Sequence, residues 1–596
     1  MLIQPWKQEE RRKAVEVALR KQPATTWIQN ATVLDVYTGE WRRAHIVLYN
    51  ERIAYVGERE PQCDERTHVI PAEEYLIVPG YIEPHAHPFQ LYNPLTLGNY
   101  LLRHGTTMLI SDTLPILMHR GEEKLITFME EMNRHPIHFY WWVRFDPQSA
   151  DPEMQQRFHH AAISRLLQHP AILQVGELTA WPQLLFQGEP KLQEWMEMAR
   201  QGGKQIDAHI PGASAATIQA LATTGVTACH EAISAEEVLA RLQAGMYAEL
   251  RHSSIRPDLP IMLPPLLERG VLPNSRTMLT TDGSTPPTLR HGFTDHLIHV
   301  AIEAGVPIVE AYRMATLYPA TFHHMDGEVG GIAPGRMADL LFLRAPDQPT
   351  PVQVMMAGKI ITETVIEELA REQSIFAWEQ YMPPSQIGME YRGIPHQWFQ
   401  LPTTSTGTYP VLEMRNAVIT KLVEEELPSQ GGLLSLEEGS GYLFIAVLHK
   451  GMQWISKCVL KGFATHLEAL ATTNNSINEI VVIGSSPAAM ARAVEELRSM
   501  EGGIVMMEGG DVLYRLPLPL AGMVSDLELD QLIPQTEEFV RLLQERGYHH
   551  ADPIYSLFFF TSTHLPSVRL TPQGLYHVKE GRVLYPAEQL EQDVRS

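Results

Sequence analysis

The chain has 596 residues and a formal net charge of −23 at pH 7, from 70 Asp and Glu against 47 Lys and Arg. That length exceeds one ordinary hydrophobic core, so two or three domains are expected, and the acidic balance disfavours sequence-independent binding to nucleic acid phosphates. No run of about 18 apolar residues occurs, so no membrane partner is expected, and the three scattered cysteines Cys63, Cys229 and Cys458 offer neither a disulfide framework nor a thiolate zinc site and suit a reducing, cytoplasmic setting.

Residues 7–22 open the chain with Lys, Glu and Arg at nearly every turn, and they lack the apolar core of a signal peptide. Three short strands separated by turns follow at 33–39, 45–49 and 52–57. Similar short strands return at 338–343 and 352–361, so one small β-sandwich is expected from both flanks, 1–77 and 331–365. Between them strand-like runs alternate with helical stretches, at 106–111, 138–144, 172–177, 205–209, 226–230 and 277–282. Repeated βα order predicts an α/β fold, a (β/α)8 TIM-like barrel over 78–330. Residues 366–410, with Met382-Pro383-Pro384 and Leu401-Pro402-Thr403, read as a linker or strap. Strands such as 442–448 and a helix at 487–500 predict a C-terminal α/β domain over 411–596. That domain suits a cap over the barrel mouth or an oligomer contact, and a homo-oligomer is expected.

The first barrel strand runs into Glu83-Pro84-His85-Ala86-His87. A strand sends residues i and i+2 to one face, so both imidazoles can share a cavity. Catalytic groups of such a barrel sit at the C-terminal ends of its strands. Glu177, His209, His230 and Asp282 each fall at such an end. Any one of these residues is more often structural, but six in strand order form a pattern. Four imidazoles and two carboxylates suit two divalent cations, with one carboxylate bridging and an open position for hydroxide. Asp282 is placed to pass a proton from hydroxide to the leaving group, and Glu231, directly after His230, is the second acid/base candidate. A Glu on an exposed turn is the plainer reading of Glu231. His296 and His299 read as polar positions on an amphipathic helix.

With these motifs the chain resembles the amidohydrolase superfamily and, within it, the adenine deaminases. The resemblance spans nearly the whole sequence: Pro79-Gly80 before the two histidines, His209-Ile210-Pro211-Gly212, Cys229-His230-Glu231, 332–339, and the C-terminal runs 480–484 and 516–522. A hydantoinase-type member would place a carboxylated lysine where this chain has Glu177. The resemblance therefore implies that Glu177 bridges the two metals, with manganese or iron as the usual occupants and zinc as another candidate. It also implies a small purine-like substrate, free adenine rather than DNA, converted with water to hypoxanthine and ammonia.

The departures fall in loops expected to face substrate. Ile-Glu-Ser-Ser after the paired histidines is replaced by Pro88-Phe89-Gln90-Leu91-Tyr92-Asn93, and Gly283-Ser284-Thr285-Pro286-Pro287 stands where the family has a second aspartate and Arg-His-Pro. In the C-terminal domain a Ser-His-Asp-Ser-His-Asn signature becomes Thr473-Asn474-Asn475-Ser476-Ile477-Asn478, and the Asp common before the histidine pair is Glu83. Gln90, Ser254, Arg256 and Ser284 are the expected substrate contacts. One ring of Tyr140-Trp141-Trp142, otherwise core, is placed to stack on a purine. The chain thus resembles a divergent adenine deaminase-like branch. Another cyclic amidine or amide, a modified purine or a pterin, is the alternative substrate, and a catalytically silent scaffold is a third reading that the intact ligand set opposes.

Overall fold

Short runs of β-branched and apolar residues, each followed by an amphipathic helix, give eight parallel strands that pair strictly in chain order. They are β1 (Tyr81–Ala86), β2 (Thr106–Ser111), β3 (His138–Val143), β4 (Ile172–Leu178), β5 (Gln205–Ala208), β6 (Ala228–Cys229), β7 (Tyr247–Arg251) and β8 (Thr277–Thr280). The computed structural model describes residues 2–148, 152–388, 391, 393–437 and 439–590. In β1, β2 and β3 every position is buried, as expected of strands covered outside by crossover helices and inside by the packed side chains of the barrel. The first crossover shows how locally the fold is specified. Helix Pro94–His104 starts at Asn93, whose side chain accepts from the N–H groups of Leu95 and Thr96, and it stops at Gly105 with φ 80°.

The backbone ladder runs from β1 to β8, and side chains join the seam between the last strand and the first. Glu83 accepts from Thr280 Oγ1 at 2.7 Å and from the Thr281 N–H at 3.1 Å, and Thr280 Oγ1 also reaches the His85 carbonyl at 2.7 Å. The barrel is therefore nearly closed, and Glu83 is a structural clasp beneath the paired histidines. Burial pushes its carboxyl up to about 7 despite those hydrogen bonds.

Both flanks contribute to a single eight-stranded sheet with a common core. Strand Thr26–Asp35 carries a bulge between Ile28 and Ala31, with Asn30 at φ 53°. Its first half pairs with His68–Pro71 and its second half with Leu76–Pro79. Leu340–Leu343 then adds antiparallel to Leu76–Pro79, bringing in the chain that follows the barrel. Ile28, Val33, Ile46 and Ile77 from one flank pack with Leu340, Phe342 and Met355 from the other, which is the shared core that sequence predicts for a small sandwich. Helix Gln8–Ala18 lays Ala14 and Val17 on Val47 and Ala54 of this unit.

After helix Glu363–Ser374 the chain runs along the barrel wall, where Trp378 and Tyr381 pack on Phe128 with ring centroids 5.9 and 5.2 Å apart. Beyond it a nine-stranded sheet forms, one face of which is covered by helix Pro487–Ser499 through Met490, Val494 and Leu497. This C-terminal unit rests on the loops at the C-terminal end of the barrel. Asn93 donates to the Ser525 carbonyl at 3.1 Å, Thr285 Oγ1 to Asp552 Oδ2 at 2.6 Å, and Tyr555 Oη to the Gly283 carbonyl at 2.5 Å. Those contacts are a cap over the barrel mouth, made within one chain. Among the described residues no helix is long and apolar enough to cross a membrane.

Candidate metal centre

All eight strands deliver a charged or metal-binding side chain to the same end of the barrel. In strand order these are His85 and His87, Asp112, Arg144, Glu177, His209, His230, Arg251 and Asp282. Rigid strand ends hold such groups more precisely than free loops do. The strand before His230 is shorter than sequence suggests, only Ala228–Cys229, although Thr227 just before it still donates to the Ile206 carbonyl of β5 from its backbone N–H at 2.8 Å and from its hydroxyl at 3.1 Å.

The six ligand candidates converge as two groups. His85, His87 and Asp282 form one, and Glu177, His209 and His230 the other, each with its ligand atoms within 4.8 Å of one another. Asp282 Oδ1 lies 3.1 Å from His85 Nε2 and 3.3 Å from His87 Nε2. Glu177 lies between the groups, with Oε1 3.1 Å from His87 Nε2 and Oε2 2.7 Å from His209 Nδ1. His230 Nε2 faces His209 Nδ1 at 3.3 Å.

These donors fit divalent cations on the structure's own terms. Nε2 of His85 and Oδ1 of Asp282 are buried without a hydrogen-bond partner, although they lie only 3.1 Å apart. Lone pairs that converge without bonding one another are what a cation satisfies. Imidazole nitrogen mixed with carboxylate oxygen is a donor set for divalent transition metals. Behind two of the Nε2 atoms stands a carboxylate hydrogen-bonded to Nδ1: Asp112 at 3.0 Å from His87 and Asp207 at 2.8 Å from His230. This is the outer arrangement that fixes the tautomer of a metal-binding histidine. Burial pulls the His87 imidazole down, but the hydrogen bond to Asp112 and the neighbouring carboxylates of Asp282 and Glu177 outweigh it and hold the group well above its ordinary value. A cation would take the place of that proton.

Three arginines set the charge around this centre. Burial alone would raise Glu177 and Asp282, yet Arg144 beside the first and Arg251 beside the second hold both carboxyls well below the usual range. Arg144 Nη2 reaches Glu177 at 2.8 Å and Asp112 at 2.7 Å, and Arg251 Nη1 reaches Asp282 Oδ2 at 2.8 Å. Glu231 points inward and is not on an exposed turn. Its Oε1 accepts from Arg251 and its Oε2 from Arg256 at 2.5 Å. Burial works against its ionisation, but His209, Arg251 and Arg256 bring its carboxyl down to about 2.

The expected substrate contacts divide. Arg256 joins the centre through Glu231 and is braced by Asp258 at 2.7 Å. Ser284 is buried and accepts at its carbonyl from Tyr92 Oη at 2.9 Å. Ser254 has a buried hydroxyl with no hydrogen bond among the described residues, and Gln90 is half-buried in the loop after β1. Trp142 is stacked on His85, with centroids 4.3 Å apart and an interplanar angle of 21°, and is fully buried. It therefore supports a ligand histidine and is not free to receive a purine. Gly283, at φ 73°, turns the chain tightly after Asp282, where an added Cβ would sit 2.7 Å from the His87 backbone nitrogen. Only glycine allows that approach.

Residues 76–366 match the amidohydrolase family and residues 417–582 the adenine deaminase C-terminal domain. A Bacillus cereus protein named "Putative adenine deaminase" is 37% identical over 582 residues, covering 98% of this chain and 97% of its own. The chain belongs to the adenine deaminase family. A protein of Oceanobacillus iheyensis named "Adenine deaminase" is 28% identical over 96% of this chain and 97% of its own length. A crystal structure of a β-aspartyl dipeptidase from Fervidobacterium islandicum AW-1 covers 57% of this chain and 97% of its own, with 17% identity and a TM-score of 0.45. As an adenine deaminase family member on an amidohydrolase barrel, the chain is a metal-dependent hydrolase of C–N bonds.

Sequence reasoning missed Asp112, Arg144, Asp207 and Arg251 at the centre of this family member. The rule that found the ligands, position at a strand end, also marks Asp112, Arg144 and Arg251. Asp207 stands two residues before His209 and so shares its face.

Proposed function

We propose that the chain deaminates adenine with water to hypoxanthine and ammonia, using two divalent cations, manganese or iron, held by His85, His87, Asp282, Glu177, His209 and His230. The observation that carries this reading is Glu177, whose two oxygens face the two ligand groups from one carboxylate. Cations bound there supply Lewis acidity, which makes water a nucleophile near neutral pH.

The chain's own residues handle the protons. Attack on C6 of adenine requires two protons to leave water, one for N1 and one for the departing amino group. Glu231 begins ionised because two guanidinium groups hold it, so it accepts the first proton before delivering it to N1. Its Oε1 lies 3.6 Å from His209 Nδ1 and 3.7 Å from His230 Nε2, beside the ligands. Asp282, also ionised, takes the second proton from the tetrahedral adduct and gives it to the amino group, which leaves as ammonia. Substitution Glu231→Gln keeps the shape and removes the proton acceptor, and kcat is expected to fall by about 10²- to 10⁴-fold. A wild-type rate would reduce Glu231 to an anchor for Arg251 and Arg256.

The loops where this chain departs from the family pattern favour a second reading, a modified purine or pterin at the same centre. Gly283 and Ser284, in the altered segment, are fixed through their carbonyls by Tyr555 of the C-terminal unit and by Tyr92 of the other altered segment, so both departing loops meet at the rim of the mouth. Ammonia release from manganese-loaded protein, measured with adenine and with a panel of purines, pterins and cyclic amides, separates the two. Adenine turnover is expected; two bound ions with no adenine turnover and activity on another ring would transfer the assignment.

A further inference from the structure

We propose that Asp207 is a positioning residue common to both cation sites, a single carboxylate oxygen that fixes His85 of one ligand group and His230 of the other. The proposal rests on the ligand assignment above. Asp207 is fully buried in β5, and its Oδ2 lies 2.8 Å from His230 Nδ1 and 3.1 Å from His85 Nδ1. The two imidazoles stack over that oxygen with centroids 4.0 Å apart and an interplanar angle of 30°, and Trp142 closes on His85 at 4.3 Å. From this common base the Nε2 atoms diverge, that of His85 toward Asp282 at 3.1 Å and that of His230 toward Glu177 at 3.7 Å.

A neutral imidazole carries one N–H. If Nε2 gives its lone pair to a cation, the proton must sit on Nδ1 and needs an acceptor. His87 has its own acceptor in Asp112. His230 Nδ1 is hydrogen-bonded to Oδ2 of Asp207, and His85 Nδ1 lies 3.1 Å from the same oxygen without hydrogen-bond alignment. A small turn of the His85 ring as Nε2 takes a cation brings its N–H onto that oxygen, and one oxygen then selects the tautomer of two ligands that serve different ions.

His85, Asp207, His230 and Glu249 also form a compact buried group that could be read as a further cation site, and both Glu249 oxygens lack a partner. A cation there would need the Nδ1 lone pairs of histidines whose Nε2 atoms already face the upper groups. Both rings would then have to lose their last proton. The geometry points to orientation, with Glu249, 3.9 Å from His85 Nδ1, beyond hydrogen-bond reach.

The test uses the full chain with Mn²⁺ as probe, measuring stoichiometry and affinity by chelator competition in the wild type, Asp207→Ala, Asp207→Asn and Glu249→Gln. Two ions in the wild type are expected, both weakened about 10- to 100-fold by Asp207→Ala, with Asp207→Asn largely restored because its amide oxygen still accepts. Should Asp207→Ala not fold, zinc-loaded Asp207→Asn is read by the imidazole N–H proton resonances, and the His85 and His230 signals are expected to shift together. Weakening of one ion, or movement of one resonance, overturns the shared role. So does a third wild-type ion that Asp207→Ala and Glu249→Gln both remove. Two wild-type ions untouched by Asp207→Ala sink this proposal alone, whereas a wild type that binds no ion sinks it together with the ligand assignment.

Discussion

Replacing Asp282 with Asn is expected to lower kcat by about 10²- to 10⁴-fold, the range for losing a positioned proton-transfer group, while most of the bound metal is retained. Asn suits this test because Asp282 sits at φ 54°, a left-handed conformation that Asn tolerates better than most residues. The amide keeps an oxygen where Oδ1 faces His85 and His87. It has no basic oxygen to receive a proton, and its NH₂ group must face Arg251, which now holds Oδ2 at 2.8 Å. Donor against donor is unfavourable, so some local repacking is expected around Arg251. The measurement pairs steady-state ammonia release with metal content on the same preparation. Loss of rate together with loss of both ions would make Asp282 chiefly a ligand, and a rate within a few fold of wild type would end its proton-transfer role.

Much of this centre is legible in the sequence because a strand end is a local signal. A run of buried β-branched residues has to stop, and a histidine or carboxylate at the stop points into the mouth of a parallel barrel. His85, His87, Glu177, His209, His230 and Asp282 are all of this kind, and the structure brings all six together. Arg144 and Arg251 stand at equivalent stops. A guanidinium is not a metal ligand, though, and nothing local says that it will sit beside Glu177 or Asp282 more than 30 residues away. The C-terminal contribution is less legible still. Tyr555 and Gly283 are separated by 272 residues, and their hydrogen bond follows from how one unit seats on another, which no periodicity records. Trp142 shows the opposite limit. Its position on a barrel strand was plain, but whether its face meets a ligand histidine or a substrate depends on the neighbouring strand.

The seating of the C-terminal unit bears on function as well as fold. Asp552 accepts from Thr285 and also caps its own helix, receiving the N–H groups of Ile554 and Tyr555. One buried carboxylate therefore ties the loop after Asp282 to a helix start in the other unit. Further in, the His564 ring stands 5.8 Å from that of His209.

Glu177→Gln is expected to leave one divalent ion or none per chain and to reduce turnover by at least about 10²-fold, because it removes the charge shared between the two ligand groups while preserving volume. In the wild type Oε1 faces His87 and Oε2 faces His209, so whichever way the new amide is turned, its NH₂ group points at a ring nitrogen that would bind metal. Arg144 keeps its paired contacts with Asp112 after the change, so its charge is not left uncompensated. The cost in stability of the metal-free protein is accordingly expected near 1 kcal/mol, the scale of one net hydrogen bond, rather than the several kcal/mol of a broken buried ion pair. Metal content and thermal unfolding of the apo protein read the two effects separately. Two ions held at wild-type affinity with full turnover would remove Glu177 from the bridge. A collapse of apo stability with metal sites otherwise intact would instead show that its main partner is Arg144.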